Sequence, residues 1–116
     1  MAGPLIIYHN GECSKSKGAL ELLTERGTPF TVRYYLQEPL TVEELKALLK
    51  KLNLPASAIV RRGETLASEV TAKGEPDEEG WIRILAENPS LIERPIVESA
   101  DIAIVARPPK RVLELL

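Results

Sequence analysis

Three patterns follow one another without a break in the first 35 residues, and together they leave few folds open. Leu5-Ile6-Ile7-Tyr8 is a short apolar run with the length of a buried strand. Ser14 to Arg26 places Ala19, Leu20 and Leu23 on one helical face and Glu21 and Glu25 on another. Gly27 then stops the helix, because glycine takes the left-handed conformation without a Cβ penalty. Pro29 to Tyr35 alternates and is rich in β-formers, so a second strand follows. Strand, helix and strand this close form a β-α-β unit, whose crossover should be right-handed with its strands parallel.

The middle of the chain reads as helices. Thr41 and Glu44 have the spacing of a capping box, and Leu45, Leu48, Leu49 and Leu52 recur at helical intervals behind it. Pro55 should open a short helix through Ile59 and Val60 that ends in Arg61-Arg62-Gly63. Residues 65–80, acidic and broken by Gly74, Pro76 and Gly80, suggest helix fragments and loop. Trp81, Ile82 and Leu85 make the apolar face of a helix that stops before Asn88-Pro89. Pro95 to Val97 and Ile102 to Val105 read as two strands, joined by a turn near Ala100-Asp101 and able to pair antiparallel. Pro108-Pro109 suits a helix start, with Val112, Leu113 and Leu116 on its apolar side. The order β-α-β, helices, β-β-α predicts an α/β fold. It is a thioredoxin-like, mixed four-stranded sheet in one domain spanning 1–116, with a helical insertion at about 41–88 between its halves.

Bulk properties narrow the function. At 116 residues with 44% hydrophobic side chains, the chain can bury a core. A net charge of −2 argues against a general nucleic-acid binder, and 4% aromatic residues offer no stacking platform for single strands. No signal-peptide pattern precedes the first strand, and no apolar run approaches the ~20 residues that span a bilayer. One cysteine makes no internal disulfide, and no Cys/His cluster offers a metal site. A protein of the reducing cytoplasm is the natural expectation.

That cysteine, Cys13, stands where a polar loop meets a helix start, with His9, Lys15 and Lys17 near it in sequence. Unpaired N–H groups and the positive end of the helix dipole favour a thiolate there, and the thiolate is the reactive form. Each residue also has a plainer reading. A lone cysteine is often a small buried hydrophobe, a loop histidine is often satisfied by backbone, and lysines on a first helical turn are often only solvated.

The motifs Tyr8-His9-Asn10, Cys13-Ser14-Lys15-Ser16-Lys17, Ala58-Ile59-Val60-Arg61, Leu91-Ile92-Glu93-Arg94-Pro95-Ile96-Val97 and Ala106-Arg107-Pro108-Pro109 occur in that order. In them the chain resembles the glutaredoxin-coupled arsenate reductases, a thioredoxin-fold family that also contains Spx-type transcription regulators. The resemblance places the catalytic cysteine at Cys13 and its neighbouring histidine at His9. It places three oxyanion-holding arginines at Arg61, Arg94 and Arg107 and the cis-proline of the fold at Pro95, with Ser16 and Lys17 as supporting residues. The chain departs from the family at Gly11, where proline is common, and at Lys17, where arginine is common and the planar two-pronged donor is lost. Arg62 beside Arg61 offers a second register for that arginine.

The resemblance implies a mechanism. Arsenate is a tetrahedral oxyanion, which guanidinium forks bind two oxygens at a time. A Cys13 thiolate attacks arsenic and displaces water or hydroxide, giving a covalent adduct. No second cysteine is present to resolve it, so the resolving thiol is external: glutathione as co-substrate, followed by a glutaredoxin, with no bound cofactor. A glutathione-dependent thiol reductase acting on another substrate is an alternative. A polymerase-binding regulator is a further one, although the Cys-x-x-Cys switch common in Spx-type relatives is broken here by Ser16.

Overall fold

The computed structural model describes residues 5–9, 14–93, 95–107 and 109–115, with the side chains of 14–16 and 109 outside that description. The sheet is built from β1 (Leu5–Tyr8), β2 (Phe30–Arg33), β3 (Ile96–Glu98) and β4 (Ala103–Val105), in the order β2-β1-β3-β4. β1 and β2 are parallel, while β1–β3 and β3–β4 are antiparallel. The mixed four-stranded sheet expected from the element order is therefore present.

Register and side-chain alternation explain the layers. Ile7, Val97 and Ile104 are matched across β1, β3 and β4. They face the same side, where they pack with Leu5, with Ala19 and Leu23 of α1 (Ser14–Glu25), and with Val112 and Leu115 of the C-terminal segment. The next matched set, Tyr8, Ile96 and Val105, faces the other way. There it meets α2 (Val42–Leu52) and α4 (Glu78–Glu87), through Leu45, Leu48, Trp81 and Leu85 among others. The insertion thus covers one face of the sheet, and α1 with the C-terminal segment covers the other.

Local chemistry sets the helix ends. Gly27 has φ of 66° and lets α1 close, with its N–H donating to the Thr24 carbonyl and that of Thr28 to Leu23. The Thr41–Glu44 capping box forms in both directions, and Asn53 ends α2 in the left-handed conformation. Asp77 caps α4 by accepting from the Gly80 N–H at 2.7 Å.

Several expectations are corrected. The helix read from Pro55 through Val60 is only a 3-10 turn, Ala56–Ile59. Val60 is already extended, because it bridges antiparallel to Ile92. Residues 65–80 resolve into α3 (Thr65–Thr71), a connection and the start of α4. The C-terminal helix is a 3-10 segment, Pro109–Leu115. With three residues per turn, Val112 and Leu115 share the buried side and Leu113 is exposed. Pro108 and Leu116 lie outside the described residues.

Candidate active site

The last matched set of the sheet, Tyr8–Ile96–Val105, decides what lies beyond it. Continuing each strand by one residue at that end gives His9, Pro95 and Ala106. The His9 N–H donates to the Arg33 carbonyl at 2.9 Å, and the Ala106 N–H to the Pro95 carbonyl at 2.8 Å, so the ladders extend to this row. Arg107 follows directly. Arg61 reaches the neighbourhood by a separate route. The Arg61 N–H donates to the Leu91 carbonyl, and the Glu93 N–H to the Ile59 carbonyl, each at 2.7 Å around the Val60–Ile92 bridge. That pairing sets Arg61 beside Glu93, two residues before Pro95.

The side chains converge on one carboxylate. Arg107 Nη1 donates to Glu93 Oε1 at 2.5 Å, and Arg61 Nε stands 3.9 Å from the same oxygen. Arg61 Nη1 also donates to Glu64 Oε1 at 2.7 Å. The Glu93 side chain is about one quarter exposed (27%), so this is a partly sheltered cluster rather than a fully solvated ion pair. Two guanidinium groups thus place positive charge about one carboxylate oxygen, one through a hydrogen bond and one at ion-pair distance.

Arg62 is used elsewhere. Its guanidinium grips both oxygens of Glu75, at 3.0 and 2.7 Å, and lies 5.1 Å from the Trp81 ring centre. Trp81 Nε1 donates to Glu75 as well, at 2.9 Å. Of the two adjacent arginines, Arg61 is the one facing Glu93.

His9 is 95% buried in effect, with only 5% of its surface exposed. Its Nδ1 has no hydrogen-bond partner among the described residues, and Tyr34 meets its ring edge-on at 5.7 Å between centroids. Burial, and then the positive charge of Lys17, hold its pKa below the ordinary histidine value. The imidazole is therefore neutral at neutral pH. Lys17 itself is exposed, Pro95 is buried, and Ser16 lies in the first turn of α1. Cys13, the residue before α1, and Arg94, between Glu93 and Pro95, lie outside the described residues. Beneath the row, Tyr8 donates to Glu98 at 2.6 Å, and Lys51 donates to Glu98 at 2.6 Å and to the Ser99 carbonyl at 2.9 Å, tying α2 to the sheet. Burial and Glu98 push the Tyr8 hydroxyl above its ordinary pKa.

Glu93 is the site residue that sequence reasoning missed. It stands inside a quoted motif, but only the fold brings Arg61 and Arg107 to it from distant parts of the chain.

A mixed sheet in the order β2-β1-β3-β4, with arginines paired to a carboxylate at the end where β1 leads toward α1, defines a thioredoxin-like protein. A sequence model of the ArsC family matches residues 8–115, and the chain belongs to that family. It is 41% identical over 112 residues to YfgD of Escherichia coli, covering 95% of this chain and 94% of that one. It is 36% identical over 114 residues to an arsenate reductase of Haemophilus influenzae, covering 97% and 98%. The solved structure of an arsenate reductase from Vibrio cholerae superposes with a TM-score of 0.93 at 40% identity, covering both chains in full.

Proposed function

We propose that the chain is an arsenate reductase, an oxidoreductase that converts arsenate to arsenite through a covalent Cys13–arsenic adduct. The observation that carries this reading is the convergence of Arg61 and Arg107 at the end of the sheet from which β1 runs toward Cys13 and α1. Membership of the ArsC family and the likeness to named arsenate reductases support it.

Arg61, Arg94 and Arg107 hold the oxyanion and offset its charge. The Cys13 thiolate bonds arsenic as water or hydroxide leaves. The single thiol of the chain calls for a second one from outside. Glutathione supplies it and glutaredoxin completes the reduction, so that two thiols provide the two electrons arsenic gains. His9, the residue after β1 at the start of the loop that leads to Cys13, is held neutral by burial and shapes that approach without adding a charge of its own. The cytoplasm, where thiols are kept reduced, suits this chemistry.

The test is arsenite production from arsenate with glutathione and glutaredoxin, omitting each component in turn. Turnover should require all of them. Turnover of a glutathione mixed disulfide with none of arsenate would assign the sulfur to a different substrate.

A further inference from the structure

The arginine cluster holds two guanidinium groups, those of Arg61 and Arg107, and two carboxylates, those of Glu64 and Glu93, against each other. As these four groups stand, their charges balance. A dianion arriving at Arg61 and Arg107 therefore meets donors already engaged, and its affinity is the difference between what it gains and what the carboxylates give up. Glu93 matters most, because among the described residues it is the carboxylate paired with both arginines, and it is more sheltered than Glu64, whose side chain is 42% exposed.

This arrangement has a chemical use. Arsenate and inorganic phosphate are both tetrahedral oxyanions of the same charge type, so a cluster of arginines binds them about equally. Binding energy spent equally on both cannot favour the reaction, whereas reduction by thiols is open to arsenic and not to phosphorus. A site with two unopposed arginines would fill with phosphate. We propose that Glu93 is a specificity-determining residue of this site: a built-in competitor that keeps Arg61 and Arg107 together while holding their affinity for unreactive tetrahedral oxyanions low. This rests on the arsenate reading for its purpose, but its physical content is anion competition and is measurable without turnover.

The experiment compares the full chain with Glu93→Gln, which keeps a hydrogen-bond acceptor of the same size but removes the charge, and with Glu93→Asp. Calorimetry gives the Kd of inorganic phosphate, and arsenate kinetics give its inhibition constant. Glu93→Gln should tighten phosphate binding and inhibition by about fivefold or more, the effect of one opposing charge at a partly sheltered pair, while Glu93→Asp stays within about twofold of wild type. Phosphate affinity unchanged or weakened in Glu93→Gln overturns the proposal. If Glu93→Gln melts too low to assay, Glu64→Gln relieves Arg61 of its other carboxylate and should shift phosphate binding in the same direction by about twofold, and no shift there overturns the proposal too. The two ideas fail separately. Arsenate turnover with phosphate competition unmoved in Glu93→Gln removes the competitor role and leaves the reductase. Tightened phosphate binding without arsenate turnover in wild type does the reverse.

Discussion

Adjacent arginines at 61 and 62 serve different ends, and kinetics should separate them. Arg61 faces the Glu93 cluster, whereas Arg62 clamps Glu75 and covers Trp81. Arg61→Ala should lower kcat/KM for arsenate by about 100-fold, the loss that follows removal of one oxyanion donor. Arg62→Ala should leave turnover within about twofold of wild type and lower only the melting temperature, since it removes an exposed pair that touches no substrate. His9 makes a pH prediction. Its pKa is depressed in the folded chain, so the unfolded chain binds the extra proton first as pH falls. Stability from a neutral His9 is present above the ordinary value of 6.5 and is lost as pH falls below it. Urea midpoints measured between about pH 5 and about pH 8 should decline toward acid in wild type and flatten in His9→Asn. Which arginine faces the cluster could not be read from the chain, because Arg61 and Arg62 have the same chemistry and differ only in the direction the Val60–Ile92 bridge gives them.

The entry to α2 shows how an element is held by more than its own residues. Thr41 and Glu44 cap each other, at 3.1 and 3.0 Å. Arg33 at the end of β2 then binds Glu44 with both nitrogens, at 2.6 and 3.1 Å, and donates to the carbonyls of Glu38 and Pro39. One arginine thus joins strand, connection and helix. Thr41→Ala should cost about 1 kcal/mol in urea unfolding, the usual loss of an N-cap. Arg33, then the Thr41 backbone, lower the Glu44 pKa to about 2. The stability it lends is present above the ordinary 4.5 and lost as pH falls toward 2, so Arg33→Met should show a shallower acid loss than wild type. The capping box was legible from spacing alone, because it is local. The Arg33 link was not, because its partner lies eleven residues away on another element. The C-terminal segment misled for a different reason. Val112, Leu113 and Leu116 fit a 3.6-residue period, but the chain there winds with three residues per turn and buries Val112 and Leu115.

At the scale of the molecule, two cores share one sheet, and the site sits at the sheet's end rather than in either core. The alternation that sends Ile7, Val97 and Ile104 one way and Tyr8, Ile96 and Val105 the other lets the insertion and the α1 layer pack independently while both fix the same row of residues. The order of strands and helices was readable because apolar periodicity reports it directly. The acidic stretch before Trp81 was not, since Glu75 takes its meaning from Arg62 and the indole N–H, which the fold alone supplies. Trp81 is nearly fully buried in the insertion's core, and Trp81→Ala should destabilise by about 3–5 kcal/mol, read as a fall in the urea midpoint. The covalent Cys13 chemistry is tested by the rate of arsenite formation from arsenate, with glutathione and glutaredoxin, in wild type and in Cys13→Ser of equal melting temperature. Wild type should turn over steadily and Cys13→Ser should lose at least about 1,000-fold, as expected when a nucleophile is removed. Equal rates in the two would contradict it.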